Sequence, residues 1–350
     1  MSLRKLCLFA VVLFAVYPLR AATYYVGTCH ANSFATISDA VNSSTVTPGS
    51  TVKICGGQYF EQVIISKPLT LEGVLGSGAD GQVLIAGNGA MQTAVSPISN
   101  TLLTPIVWVT AGPVTLQDIT VDDDFLSCTG AEYAGIYYAS GASGTLNRIA
   151  AQGACTGASI WAENATSPAT KVTIENSYLN NGVVAMGAVQ AAGATPLLAV
   201  DISINQISPN VPFGSNLGNG IYLYEVGGTV SNNSIFGPKQ QGGVNLKGVG
   251  IWDEAAGVTV SSNTIMFIGY DNQPFNFYGI AVAEDNVTIK ANKISGVLYG
   301  IDMGCHPGTV TANTINLSAS GLLSVPRTFT GVNSVFNSPV TTPASDCPTD

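Results

Sequence analysis

Short runs in which apolar and polar residues alternate recur along the chain, as in Lys171–Ser177 (KVTIENS), Gly257–Asn263 (GVTVSSN) and Asn286–Asn292 (NVTIKAN), with Gly, Asn and Ser between them. A period of two over so few residues predicts strands bounded by turns, and the runs are too short for helices. The runs are themselves spaced. Asparagines stand at Asn147, Asn176, Asn205, Asn233, Asn263 and Asn292, in steps of 29, 29, 28, 30 and 29 residues, and a shorter step of 21 reaches Asn313. Two residues after each comes Ile149, Tyr178, Ile207, Ile235, Ile265, Ile294 or Ile315. A fixed period of this kind marks a repeat architecture. Carried backwards, it meets Asp118 and Asn88, giving roughly nine rungs from about Val63 to Leu317.

Leucine-rich and helical solenoids need a Leu consensus or long segments of period 3.6, and neither is present. The expected fold is therefore all-β: a right-handed parallel β-helix, a solenoid of about nine coils stacked about 4.8 Å apart into a rod of roughly 40 Å. The asparagines are expected at one turn, where Asn tolerates left-handed backbone and its amide bonds to the next coil. The column two residues later is expected inside. This ladder is read as structural, with no catalytic role.

The chain ends depart from the repeat. Arg4 and Lys5 precede an apolar stretch, Leu6–Val16, and Ala21–Ala22 offers a small-residue cleavage site. Residues 1–21 thus read as a secretory signal peptide, whose apolar run is shorter than the roughly 20 residues a membrane span needs. Residues 22–60 are expected to form an N-terminal cap: a strand at Thr23–Val26 and an amphipathic helix over Ser33–Ser43, capped by Ser33, with Phe34, Ile37 and Val41 on one face. The β-helix is assigned to 61–317, and 318–350, rich in Ser, Thr and Pro, to a tail lying along it.

Without Arg4, Lys5 and Arg20, 9 basic residues face 21 acidic ones, a formal charge of about −12. That argues against nucleic acid, whose affinity rests on cationic side chains meeting phosphates. No later stretch reads as a membrane span. Six cysteines remain after Cys7: Cys29, Cys55, Cys128, Cys155, Cys305 and Cys347. An even number in an exported chain reads as disulfides. Nearest neighbours are the expected pairs: Cys29–Cys55, Cys128–Cys155 and Cys305–Cys347. The expected location is secreted, extracellular or periplasmic.

The stretch Ala35–Gly73 carries a helix with a TI-x-x-AV pattern (Thr36–Val41), then PG-S-x-V (Pro48–Val52), then G-x-Y-x-E-x-V-x-I-x-K-x-L-x-L-x-G (Gly57–Gly73). In this it resembles the opening segment of right-handed parallel β-helix proteins of the pectin-lyase-like superfamily. The resemblance, with the downstream repeats, covers nearly all of the chain beyond the signal peptide. It implies the fold and is poor for activity. The Asn-Thr-Asp, Gly-His-Gly and Arg-Ile-Lys motifs of polygalacturonases are absent. The Gln pair, two Asp and Arg of pectin methylesterases find no matching context. Only two His and five Met are available for the ligands that copper-maturation β-helices use.

Candidate chemistry follows from a second column. Ile136, Ile160, Val189, Ile221, Ile251, Ile280 and Ile301 begin equivalent strands, often after Gly. With these inward, the next residues face outward: Tyr137, Trp161, Gln190, Tyr222, Trp252, Ala281 and Asp302. Tyr137, Trp161, Tyr222 and Trp252 form an aromatic stripe of the kind a sugar chain stacks on. Three or four residues beyond the inward column stand Glu163, Glu225, Glu254 and Glu284. Carboxylates one or two coils apart fall in the range of about 5 to 10 Å used by paired acids in glycoside hydrolysis. Glu225 and Glu254 are the nominal acid and base or nucleophile; the others line the substrate. Solvated turns and loops covering the aromatics are the plain alternative.

Asp122–Asp123–Asp124, with Asp118 or Glu132, could hold Ca2+, but a surface loop is the preferred reading, since the EF-hand spacing is absent. His306 beside Cys305 is a further acid or base candidate. These residues support an exported β-helix that binds, and in a further step degrades, an extracellular polysaccharide. The alternatives are a non-catalytic structural or adhesion rod, and a Ca2+-dependent polysaccharide lyase using Arg148.

Overall fold

The computed structural model describes residues 21–89, 91–122, 132–152, 157–166, 168–188, 194–208, 217–237, 247–255, 257–267, 275–316, 320–323, 333–336 and 347. Strands dominate. Among the described residues they form sheets of 18 and 11 strands. Every pairing is parallel except that of Ala94–Val95 with Leu102–Leu103. Each strand pairs with its counterpart about one coil away, so the chain winds as a parallel β-helix. Side chains alternate, and one set points in. Val52, Leu71, Leu116, Leu146, Ile174, Ile202 and Val230 make one unbroken interior column, all fully or almost fully buried. Each contributes about 1.5–3 kcal/mol by leaving water. Outward neighbours in the same strands are largely β-branched Thr, such as Thr115, Thr145 and Thr173, which suits a pleated surface.

The asparagine ladder is real but shorter at its start than the spacing predicts. Asn205, Asn233, Asn263, Asn292 and Asn313 are buried. Each side-chain amide donates to the Oδ1 of the next Asn at 2.9–3.0 Å, and the ladder continues to Asn333. That Oδ1 also accepts the preceding Asn backbone N–H at 2.9–3.0 Å. A second amide proton reaches a strand carbonyl, as from Asn205 to Ile174 at 2.9 Å. Every buried polar atom of the rung is thus used, which is what burial demands. Upstream, Ser177 takes the rung before Asn205 and Ile149 the one before that. Asn176 stands one residue and Asn147 two residues ahead of the ladder, with Asn176 exposed.

The left-handed residue is the one before the rung. Arg148, Asn176, Ile204, Asn232, Ser262, Ala291 and Ala312 have φ of 53–59°. The slip moves the interior column too: Leu179, not Tyr178, pairs with Ile207, and Tyr178 is an exposed side chain. Asn88 falls outside the ladder, just after the strand Leu69–Ala86.

The helix spans Ile37–Asn42, shorter than expected, with Thr36 rather than Ser33 as its cap. Phe34 instead bridges to Val26. Ile37, Ala40 and Val41 are buried. The opening motif has a local explanation here. Both Glu61 oxygens accept the free N–H groups of Ile37 and Ser38 at 2.8 Å, and a carboxylate at a helix N-terminus is favoured. Lys67 donates to the carbonyls of Ser43, at 2.7 Å, and Val46 just past the helix.

The coils also run past the expected boundary at 317. Ser320–Leu323 joins the second sheet and Ser334–Phe336 the first. Disulfides link Cys29 to Cys55 and Cys305 to Cys347, which suits an oxidising compartment. The expected signal peptide, up to residue 20, and the pair Cys128–Cys155 lie outside the described residues. No described helix is long and apolar enough to cross a membrane.

Candidate functional site

The second sheet carries the aromatic residues on its outer side. Ile136, Ile160, Val183, Ile221, Ile251, Ile280 and Ile301 are in register and buried. The outward column beside them reads Trp108, Tyr137, Trp161, Val184, Tyr222, Trp252, Ala281, Asp302. Val183 and Val184 hold the places expected for Val189 and Gln190, which lie outside the described residues. From Ile160 the step is 23 residues to Val183 and then 38 to Ile221, not the 29 and 32 that Val189 would give. Ile64 precedes Trp108 in the column, and all three tryptophans lie in it; Val107, the inward residue before Trp108, follows Ile106 rather than the Gly that marks many of the later strands.

The first part of this face is closed. Tyr137 is 2% exposed, Trp161 5% and Glu163 1%. The cover is the antiparallel pair Ala94–Val95 with Leu102–Leu103 and the turn between them. Ala94 and Leu103 cluster with Tyr137 and Trp161. Ser96 at the turn donates to Glu163 Oε2 at 2.6 Å, and the Tyr137 hydroxyl donates to Oε1. Burial pushes the Glu163 pKa up, and the Ser96 and Tyr137 hydroxyls pull it back. The nearby Trp161 indole acts in the same downward sense, although its N–H completes no hydrogen bond. Burial and then Glu163 push the Tyr137 hydroxyl well above its ordinary range. These three residues, expected to line a substrate, instead tether the covering turn.

The second part is open. Tyr222, Tyr224, Trp252, Tyr278 and Tyr299 are all partly exposed. Tyr222 meets Trp252 edge-on, with ring centroids 5.9 Å apart and planes at 75°. The Tyr222 hydroxyl donates to Glu254 Oε2 at 2.9 Å. Tyr278 and Tyr299 lie 4.8 Å apart at 33°. They belong to a neighbouring column with Val249, separated from the Trp252 column by a glycine and an isoleucine. The glycines are required: a Cβ on Gly250 would lie 2.6 Å from the Gly279 carbonyl oxygen and 2.8 Å from Ile265 Cγ2. The face is therefore two adjacent ring pairs, one at Tyr222–Trp252 and one at Tyr278–Tyr299.

The four glutamates do not form one row. Glu163, Met186, Tyr224 and Glu254 share an outward column, which puts Glu163 and Glu254 about 14 Å apart along the rod. Glu225 sits in the turn after its strand, at φ 51°, and its N–H donates to the Glu254 carbonyl at 2.9 Å. Backbone positions of Glu225 and Glu254 are thus diagonal neighbours, about 6 Å apart from strand spacing and rise. Glu284 follows the next strand. Burial pushes the Glu225 pKa up and the Glu284 charge adds to it. Asp253, between Trp252 and Glu254, points inward and is fully buried.

The other candidates lie elsewhere. Arg148 is on the first sheet, paired with Asp118 through two bonds of 2.6 Å, and the charges of Glu175 and Glu72 also act on it. Asp122 accepts from Gln152 at 2.9 Å; Asp123 and Asp124 lie outside the described residues. Glu132 is exposed at a strand start. His306 pairs with Asp285 at 2.9 Å. Among the described residues no three His, Cys, Asp or Glu side chains come together to hold a metal.

No protein-family model matches the chain, and no curated protein matches its sequence. Solved structures do match. The native GH136 lacto-N-biosidase from Eubacterium ramulus covers 90% of this chain and 68% of its own, at 9% identity and a TM-score of 0.54. Pectin methylesterase PemA from Erwinia chrysanthemi covers 80% of each chain at 12% identity, with a TM-score of 0.44. A carrot pectin methylesterase covers 91% and 84% at 12% identity and 0.44. The last two overlaps are too loose to carry an argument. At such identities the likeness shows the fold alone, a parallel β-helix.

Proposed function

We propose that this chain is an exported β-helix that binds a neutral or weakly charged extracellular polysaccharide on the open part of its second sheet. The observation that carries this reading is the set of partly exposed rings at Tyr222, Trp252, Tyr278 and Tyr299, in registered columns beside Glu254. Flat rings present apolar surface to the axial C–H groups of a sugar, and few rotors must be frozen to do so. Glu254, held by the Tyr222 hydroxyl, accepts hydrogen bonds from sugar hydroxyls. The acidic charge of the chain fits an uncharged glycan better than a polyanion. The lacto-N-biosidase among the matching solved structures is named for action on a sugar, which agrees with this reading.

Cleavage is the further step. Glu225, whose pKa is raised, is the proton donor, and Glu254 the base or nucleophile. Paired acids of glycoside hydrolases stand about 5–9.5 Å apart, a range open to diagonal neighbours of this kind.

The test is a polysaccharide panel screened for binding and depolymerisation, with and without EDTA. Reducing ends without ultraviolet absorbance mark hydrolysis. Absorbing products that vanish with EDTA mark Ca2+-dependent elimination. Binding without products leaves a carbohydrate-binding rod. No binding to any glycan overturns the proposal in favour of a structural or adhesion rod.

A further inference from the structure

One carboxylate points away from the open face into the core. The interior column that contains it reads Ile65, Val109, Tyr138, Ala162, Ala185, Leu223, Asp253, Val282. Asp253 is the one acid in that run. It is fully buried, and neither oxygen has a hydrogen-bond partner among the described residues. None of the ion pairs among the described residues includes it. The flanking strands present Leu223 and Val282, both buried.

The charged and titratable groups around Asp253 are Glu254 beside it on its own strand, Tyr222, Tyr224 and Glu225 at the strand before, and Tyr278, Glu284 and Asp285 at the strand after. Asp302 stands on the strand beyond. All the carboxyls are like-charged, and Glu284 acts on Asp253 directly. No basic group is placed to receive its charge among the described residues.

An isolated carboxylate in an apolar interior is costly and keeps its proton instead. We propose that Asp253 is a pH gate beneath the aromatic and acidic face. Protonated, it fits the interior stack; on ionising it must be hydrated, which loosens the strand Lys247–Glu254 and with it Trp252 and Glu254. The consequence for ligand rests on the polysaccharide reading; the loosening of the strand does not. Burial first, and Glu284 second, raise its pKa to about 7, with the Ala255 backbone N–H opposing without reaching hydrogen-bond geometry. The gate therefore works across the neutral range.

Hydrogen exchange resolved by peptide tests it, corrected for the intrinsic pH dependence of exchange. In the wild-type chain, opening of Lys247–Glu254 should increase about a hundredfold from pH 5 to pH 8, the ratio for an acid with a pKa of about 7 when buried and 3.8 when hydrated. Asp253→Asn and Asp253→Leu should abolish the increase. Equal protection at both pH values in the wild type overturns the gate, as does an increase that persists in either folded variant; the wild type decides alone if neither folds. Polysaccharide binding measured in the same buffers should weaken at pH 8. A chain that shows the exchange effect and binds no glycan at either pH keeps the gate and loses the polysaccharide reading.

Discussion

The outer side of the second sheet has one backbone and two fates. From Tyr137 to Glu163 its rings and carboxylate are sealed beneath a turn; from Tyr222 to Asp302 the same columns lie partly open. Register and alternation are common to both. What differs is a short antiparallel pair, Ala94–Val95 with Leu102–Leu103, inserted ahead of the aromatic coils and tied down through Ser96 and Glu163. A repeat fixes where a side chain points. An insertion tens of residues away decides whether it meets solvent. The same residue types therefore serve as core in one part and as a binding surface in the other.

The contrast can be broken by substitution. The largest effect is expected at Asp253, whose interior position is filled by Ala162 and Ala185 in the closed part. The unfolded chain ionises Asp near 3.8 and the folded chain near 7. Stability is whole below about pH 4, falls by about 4 kcal/mol up to pH 7 and stays lower above it. Asp253→Asn should remove that decline and raise stability at pH 8 by about the same amount, read by denaturant unfolding.

Trp161→Ala should cost about 3–4 kcal/mol of stability by leaving a cavity under the covering turn. Glu163→Gln follows at about 2 kcal/mol, since Ser96 and Tyr137 lose a charged acceptor. Trp252→Ala should instead weaken glycan binding roughly 30-fold, about 2 kcal/mol, with a smaller loss of stability. Smallest is Ser96→Ala, about 1.5 kcal/mol, with increased acrylamide quenching of tryptophan as the turn loosens. Equal binding losses for Trp161→Ala and Trp252→Ala would erase the distinction between the two parts.

Periodicity made the winding, the interior columns and the Asn205–Asn313 rungs legible, because each is a local pattern repeated in register. It did not fix phase. A step of 29 residues looks the same whether Asn176 or Ser177 occupies the rung, and only the interior place of Leu179 separates them. Coil length varies too, so a 29-residue step from Ile160 points to Val189 where Val183 holds the place. The open pair Tyr278–Tyr299 was hidden because it sits in a column three residues from Trp252. The burial of Tyr137, Trp161 and Glu163 depends on a contact with Ser96, 67 residues from Glu163, which no local pattern records. Alternation after Trp252 puts Asp253 inward; what the acidic stretch does not record is that its carboxylate meets no hydrogen-bond partner there among the described residues.

The central claim is that the open part, and not the closed one, binds a polysaccharide. Affinity electrophoresis through gels containing a panel of neutral polysaccharides, run with the wild type and Trp252→Ala, tests it most directly. Retardation of the wild type by at least one glycan, lost in a folded Trp252→Ala protein, is the expected result. Wild-type mobility unchanged in every gel, or retardation equal in the two proteins, contradicts it.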